Sequence, residues 1–196
     1  MDLSAFFKAE FAEHHDVARR SEAALSGAFA GLVGACVKSI QGGGKLMFFG
    51  NGGSAADAQH LATELTVRYK AGRAAIAAIA LTTDTSALTA AGNDLGFDKI
   101  FARQIEALGR EGDIAVAIST SGKSPNVIAA LKQAKAMKLV TAALGGKGGG
   151  ELAGIVDHLL LVPSDVTARI QEMHIALGQM LCGALEIELG LAKSGQ

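Results

Sequence analysis

Residues 45–68 constrain the fold of this chain more than any other stretch. They contain a short apolar run ending in Phe49, a glycine-rich turn at residues 50–54, and then a helical pattern. Where a strand enters a helix through glycines, backbone N–H groups point out of the turn and the positive end of the helix dipole lies behind them. The pattern therefore predicts a buried strand, an anion-binding turn and a helix.

The helical part of this stretch has a row of polar side chains. At about 100° per residue, Asp57, His60, Glu64 and Arg68 lie in one narrow stripe. Such a row suits acid, base or metal-ligand chemistry. It is also what a solvated helix surface with ordinary ion pairs looks like, opposite a face of alanine and leucine. The spacing alone leaves both interpretations open.

Length and composition predict one α/β domain over residues 1–196, in the cytoplasm. The chain is 49% hydrophobic, which is enough for one core. It has no uninterrupted apolar run of about 18 residues and no apolar block at its N-terminus, so we expect neither a membrane partner nor a signal peptide. Cys36 and Cys182 lie among apolar neighbours and are expected to be reduced core residues.

The charge and the aromatic content argue against nucleic acid as a partner. The formal net charge is −1, and the chain contains one Tyr and no Trp. A protein that binds nucleic acid usually presents a basic surface and stacking aromatics. We therefore expect a small molecule as the partner.

Apolar runs alternate with helical patterns along the chain, which is typical of a parallel sheet covered by helices on both faces. Two helices are expected between residues 3 and 40, interrupted near Ser26 and Gly27, and others at 98–108, 126–137 and 166–191. The expected strands are 45–49, 75–81, 114–118, 139–144 and 159–162. The terminal helices are more hydrophobic than one small sheet can cover, which favours self-association over a monomer.

The loops at residues 50–54, 82–86 and 119–124 follow strands and should meet at the carboxyl edge of the sheet, where ligands bind. The last of them has four hydroxyls, on Ser119, Thr120, Ser121 and Ser124, ahead of a helix. Four hydroxyls at a helix N-terminus suit a phosphate monoester, although one or two of them could simply cap the helix.

Two nucleotide-binding motifs match this sequence only in part. Residues 50–55 satisfy the loose pattern G-x-G-x-x-A, but the next strand ends in Thr82-Thr83 and not in an acidic ribose ligand. Residues 121–124 resemble the end of a P-loop, yet its leading glycine would have to be Ala117. Neither a nicotinamide cofactor nor a nucleoside triphosphate is expected.

Taken in order, the motifs G-N-G-G-S, D-x-x-H-x-x-x-E, G-N-D, S-T-S-G-x-S and R-I-Q-E-x-H resemble the sugar isomerase (SIS) family, and within it the phosphoheptose isomerases. The resemblance runs over nearly the whole chain. It implies a three-layer sandwich with a five-stranded, flavodoxin-like parallel sheet, N-terminal helices and a long C-terminal helix. It also implies a cytoplasmic homotetramer with sites at its interfaces, which converts sedoheptulose 7-phosphate into D-glycero-D-manno-heptose 7-phosphate for lipopolysaccharide core.

The resemblance assigns roles to residues. It implies a Zn²⁺ cofactor held by His60, Glu64, Gln171 and the residue at position 179, with Glu64 as the base that moves the proton. Substrate contacts would come from Asn51, Gly52, Gly53, Glu64, Asn93, Asp94, Ser119, Thr120, Ser121, Ser124 and Gln171.

The chain departs from the family pattern at one catalytic position. The family has a histidine eight residues after the motif glutamine, as fourth ligand and second acid/base, and here that residue is Gln179. An amide oxygen can approach a metal but exchanges no proton near neutral pH, whereas imidazole does both. His174, on a neighbouring part of the same helix face, is expected to be structural, since the family has a histidine there as well.

Three interpretations follow from Gln179: a slow isomerase, a chain in which the histidine was replaced deliberately, and a relative that has lost the reaction. The last resembles the non-catalytic tetrameric SIS factors that bind the bacterial replication initiator, or SIS proteins that sense sugar phosphates. Retention of His60 and Glu64 favours the isomerase.

Overall fold

The computed structural model describes residues 1–193. Its strands are β1 (Leu46–Gly50), β2 (Ala78–Ala80), β3 (Ile114–Ser119), β4 (Val140–Gly145) and β5 (His158–Leu161). Its helices are α1 (Leu3–Gln41), α2 (Gly53–Thr66), α3 (Thr85–Asp94), α4 (Ala102–Leu108), α5 (Pro125–Ala136) and α6 (Thr167–Glu188). Short 3₁₀ turns lie at Phe97–Lys99, Lys147–Gly149 and Leu152–Gly154.

All five strands pair in parallel in the order β2-β1-β3-β4-β5. This is the predicted flavodoxin-like order, which changes direction between β1 and β3. The register places Gly50 beside Ile118, and Ser119 beside Gly145. The carboxyl ends of β1, β3 and β4 therefore form one edge, as expected for a ligand-binding site.

Helices cover both faces of the sheet, which makes the predicted three-layer sandwich. Along β1, Leu46 and Phe48 face a core shared with α1, α2 and α6, while Met47 and Phe49 face a core shared with α4 and α5. The strand is buried on both faces because successive side chains point to opposite sides. Cys36 and Cys182 are buried and free, as expected.

The prediction of two N-terminal helices is wrong, because α1 runs unbroken from Leu3 to Gln41. Glycine in a helix costs only about 1 kcal/mol relative to alanine. Here Leu25 and Leu32 are buried on either side of Gly27 in the core that includes α6, and this packing keeps the helix continuous.

Two other predicted elements are shorter than expected. The strand predicted at 75–81 is reduced to Ala78–Ala80, because the backbone N–H of Ile76 donates to Leu65 O at the end of α2. The helix predicted at 98–108 is interrupted at Ile100 and Phe101, where the Phe101 ring is buried 5.6 Å from that of Phe49.

By length and composition alone, α1 is long and apolar enough to cross a membrane. Its sequence contains no uninterrupted apolar run, because serines, glycines and a few charged residues are scattered along its length. In the fold, Val17, Leu25, Leu32 and Cys36 on α1 are buried in the same core as residues of α6 and the sheet, whereas 28% of the most apolar part of α1 is buried overall.

Candidate active site

Glycines shape the turn after β1. A Cβ on Gly50 would lie 2.5 Å from Ile118 O, and a Cβ on Gly53 would lie 2.6 Å from Gln171 Nε2. Gly52, the residue before α2, has φ of 58°, which favours glycine. The turn therefore lets the backbone approach both the neighbouring strand and the Gln171 side chain, and it leaves open space at Gly52.

Asn51 is fixed by a residue that sequence reasoning missed. Its Nδ2 donates to Asn126 Oδ1 at 2.9 Å, and Asn126 Nδ2 donates back to Asn51 Oδ1 at 2.8 Å. Asn126 is buried, and its Oδ1 also accepts from the backbone N–H of Val127. This amide pair joins the turn after β1 to the first turn of α5. A polar residue directly after a helix-starting proline was the available signal.

The predicted anion loop, residues 119–124, lies between β3 and α5. Ser119 Oγ accepts from the Gly122 N–H and Ser121 Oγ from the Lys123 N–H, both at 3.2 Å. Ser124 is the N-cap of α5, yet its hydroxyl makes no capping hydrogen bond. Within residues 1–193, the hydroxyls of Thr120 and Ser124 have no hydrogen-bond partner, so both remain available to a ligand together with the helix N-terminus.

A glycine-rich segment supports this loop from behind. Gly122 has φ of 63°, and a Cβ there would lie 2.0 Å from Gly149 O. The Glu151 N–H donates to Gly122 O at 3.0 Å. The segment at residues 145–150 therefore packs directly against the anion loop.

His174 supports the same region from α6. The residue is fully buried, and its Nε2 lies 3.1 Å from Gly145 O at the end of β4. Because a carbonyl only accepts, Nε2 carries the proton and Nδ1 is the bare nitrogen, with no partner among the described residues. Burial lowers the pKa of His174 to about 4. This supports the structural role expected for His174.

Asn93 and Asp94 lie at the end of α3 and are exposed. Asn93 Nδ2 donates to Asp94 Oδ1 at 2.7 Å. The adjoining Leu95 and the loop residue Lys123 line one open groove of about 830 Å³. The end of α3 and the anion loop therefore border the same surface, although within residues 1–193 no hydrogen bond joins Asn93 or Asp94 to the loop.

The polar stripe on α2 is partly exposed to solvent and also contacts α6. His60 Nε2 lies 3.1 Å from Glu64 Oε1 and 3.3 Å from Gln179 Nε2 on α6. The side chain of Glu64 is 17% exposed and that of His60 46%. Nearby, burial raises the pKa of Asp57, and the charge of His60 offsets this only in part. Residues on α2 and α6 that are far apart in sequence thus meet at one point.

The trio of His60, Glu64 and Gln179 fits a divalent cation in its donor chemistry. Imidazole nitrogen and carboxylate oxygen are ordinary zinc ligands. The Gln179 amide faces the His60 nitrogen, and rotating that amide by half a turn presents an oxygen instead, since its N and O atoms are assigned by hydrogen bonding. Within residues 1–193, no cluster of three or more His, Cys, Asp or Glu side chains suits a metal, so a site here depends on a carboxamide oxygen.

Gln171 packs against the start of α2. Its amide packs against Gly53, the first residue of α2, and His60 follows two helical turns later, about 10 Å along the axis. No hydrogen bond among residues 1–193 joins Gln171 to His60, Glu64 or Gln179. Gln171 therefore lies at the turn after β1, and its roles as a substrate contact and as a metal ligand remain predictions.

Comparison with known proteins identifies the class of this fold and site. The family model for the SIS domain matches residues 11–146. A phosphoheptose isomerase of Paramagnetospirillum magneticum is 56% identical over 186 residues, which cover 95% of this chain and 97% of that protein.

Two solved structures agree. The phosphoheptose isomerase of Neisseria gonorrhoeae superposes with a TM-score of 0.90 at 45% identity, covering 94% of this chain and 99% of that one. The phosphoheptose isomerase of Francisella tularensis gives a TM-score of 0.92 at 36% identity, covering 95% and 100%. The chain belongs to the SIS-domain family and, within it, to the phosphoheptose isomerases.

Proposed function

We propose that this protein is an aldose–ketose isomerase that converts sedoheptulose 7-phosphate into D-glycero-D-manno-heptose 7-phosphate through an enediolate, as the first step of heptose supply for lipopolysaccharide core. The observation that carries the proposal is the meeting of Glu64 and His60 on α2 with Gln179 on α6, with α2 beginning at the glycine turn after β1. Family membership at 56% identity over nearly the whole chain supports the same activity and does not favour a non-catalytic initiator-binding factor or a sugar-phosphate sensor.

Binding and proton transfer fall to different residues. The hydroxyls of Thr120 and Ser124 and the N-terminus of α5 hold the phosphate, while Gly52, Gly53 and Gln171 border the sugar. Glu64 removes a proton from one carbon and returns it to the neighbouring carbon. Its carboxylate is only 17% exposed, which limits competition from water.

We further propose a Zn²⁺ ion held by His60, Glu64 and the oxygen of Gln179, with Gln171 as a further ligand. When bound, the ion would polarise the sugar carbonyl as a Lewis acid. The chain's own residues orient the donors: α2 presents His60 and Glu64 one turn apart, and α6 brings Gln179 against them.

The site is expected to be completed in a cytoplasmic homotetramer. His60 is nearly half exposed, and Asn93 and Asp94 are exposed, so one chain does not enclose a sugar. Phe6, Phe7 and Phe11 are about half exposed at the start of α1, an apolar surface that a second copy of the chain would cover. Sedimentation should give four copies per particle, and a monomer that turns over substrate at the full rate would refute this assembly.

Turnover tests the function directly. The purified chain is incubated with sedoheptulose 7-phosphate, and the aldose phosphate is followed by NMR, with fructose 6-phosphate as a substrate control. Formation of a heptose 7-phosphate, and little reaction with the hexose, is expected. Absence of turnover with and without added Zn²⁺, together with tight binding of the sugar phosphate, would instead favour a sensor.

A further inference from the structure

The last turn of α2, which carries Glu64, is held by one buried arginine. Arg73 Nη2 donates to Glu64 O and Nη1 donates to Leu65 O, both at 2.7 Å. The helix has no basic residue in its last turn, and its C-cap is Val67 and not a glycine. Arg73 therefore satisfies carbonyls that the helix end leaves unpaired and places a positive charge at the negative end of the helix dipole.

A buried carboxylate on α6 holds that arginine. Glu186 Oε1 accepts from Arg73 Nε at 2.9 Å, and the two side chains are 2% and 1% exposed. The same carboxylate accepts from three backbone N–H groups, those of Tyr69, Lys70 and Ala71. Burial would raise the pKa of Glu186, but these hydrogen bonds and the guanidinium outweigh it and hold the pKa below its usual value.

This ion pair bridges the two helices that form the candidate site. Glu186 follows Gln179 on α6 by two helical turns, about 10 Å along the axis. Arg73 binds the backbone of Glu64 on α2. The Arg73–Glu186 pair therefore fixes the position of the last turn of α2, which carries Glu64, relative to α6, which carries Gln179.

We propose that Arg73 and Glu186 are positioning residues for Glu64. They act through the backbone of α2 and touch no substrate, and they keep the Glu64 carboxylate at the distance that proton transfer needs. The inference rests on the proposed function. A displacement of the order of 1 Å at a reacting group can cost about 10²-fold in rate, so loosening this turn should lower kcat far more than it raises KM.

The chain offers a matched control pair that is remote from the site. Asp113 is as deeply buried as Glu186, accepts from Lys45 Nζ at 2.5 Å and also accepts from the backbone N–H groups of Lys45 and Arg110. These residues lie before β1 and β3, at the amino edge of the sheet. Breaking this pair should destabilise the fold without moving Glu64.

The first test compares Glu186→Gln with Asp113→Asn. Both variants replace a buried carboxylate by an amide, which keeps the shape, adds donors and loses an acceptor. Each enzyme is assayed well below its own melting temperature, so that only folded protein is compared. We expect kcat to fall about 10- to 100-fold in Glu186→Gln, with KM within about twofold, and kcat to stay unchanged in Asp113→Asn.

Arg73→Lys separates charge from geometry. Lysine keeps the positive charge beside Glu186 but lacks the planar fork that reaches two carbonyls and a carboxylate together. Arg73→Met removes both the charge and the hydrogen bonds. We expect Arg73→Lys to melt at a higher temperature than Arg73→Met and still to have a lower kcat than the wild type. A kcat that returns to the wild-type value along with the melting temperature would indicate a purely structural role and overturn the proposal.

Zn²⁺ binding provides a readout that does not depend on turnover. Calorimetric titration of the metal-free chains with Zn²⁺ alone should give a dissociation constant about 10-fold higher in Arg73→Met than in the wild type or Asp113→Asn, because supporting residues align ligands. If the wild type turns over substrate, and Arg73→Met has the same kcat and the same Zn²⁺ affinity as the wild type, this inference is wrong while the proposed function stands. Absence of turnover by the wild type would overturn the proposed function, and the inference with it.

Discussion

The anion loop and the α2 stripe differ in how far one chain completes them. The loop at residues 119–124 is supported on its buried side by Gly149, and its Ser119 and Ser121 hydroxyls are already engaged. In the stripe, the His60 side chain is 46% exposed and contacts a side chain from α6, at the position where the family resemblance implies a histidine and this chain has Gln179. The proposed phosphate site and the proposed base therefore lie on different elements, so we expect that a change that weakens one of them need not weaken the other.

The largest expected effect is at the base. Glu64→Gln keeps the shape of the side chain but removes its ability to take a proton. We expect kcat for sedoheptulose 7-phosphate to fall about 10²- to 10⁴-fold with little change in KM. Glu111→Gln, an exposed change in the turn before β3 at the amino edge of the sheet, is the matched control. A loss confined to KM would mean that Glu64 binds substrate and is not the base.

The second prediction concerns position 179, where the family resemblance implies a histidine. Gln179→His places an imidazole beside His60 and Glu64, and kcat should rise about 10²-fold or more, since one general acid/base commonly contributes that much. Steady-state kinetics with and without added Zn²⁺ would measure the gain. If Gln179→His is no faster than the wild type, then Gln179 is not what limits the reaction.

The third prediction concerns pH and the buried histidine behind the anion loop. The pKa of His174 is about 4 in the fold and about 6.5 in the unfolded chain. Between these two pH values only the unfolded chain binds the proton. The contribution of His174 to the free energy of unfolding is therefore fully present above pH 6.5 and is lost as the pH falls towards 4. The loss reaches up to about 3 kcal/mol at about 1.4 kcal/mol per pH unit.

Urea unfolding of the wild type and His174→Gln between pH 7 and pH 4 measures this contribution. Glutamine can still donate to Gly145 O but does not titrate, so the variant should show a flatter pH dependence. Equal slopes in the two proteins would contradict the assignment of His174 as a neutral buried histidine.

The smallest expected effect is at the free hydroxyls. Thr120→Val and Ser124→Ala each remove one hydroxyl that has no partner within residues 1–193, and each should raise KM for the sugar phosphate about 10-fold while leaving kcat nearly unchanged, which corresponds to about 1.4 kcal/mol. Ser26→Ala, which removes an exposed hydroxyl on α1, is the control. A fall in kcat with constant KM would show that the loop takes part in the chemical step.

Local patterns predicted the sheet and the position of the glycine turn and the hydroxyl loop at its carboxyl edge, because apolar runs, glycine turns and loop hydroxyls are local features. That these segments bind a sugar phosphate stays a prediction. The meeting of His60 with Gln179 came from family resemblance, since local patterns do not report how α2 and α6 pack. Asn126, Arg73 and Glu186 were missed because a buried polar residue is recognised by its partners, which are distant in sequence. The unbroken α1 was missed because tertiary packing outweighed a glycine.

Isomerisation in D₂O tests the central claim most directly. An enediolate route in which Glu64 carries the proton allows exchange with solvent, so NMR should detect deuterium on carbon 2 of the heptose 7-phosphate formed by the wild-type chain. Deuterium incorporated on that carbon by Glu64→Gln at the wild-type rate would mean that another group carries the proton and would contradict the account of Glu64 as the proton carrier.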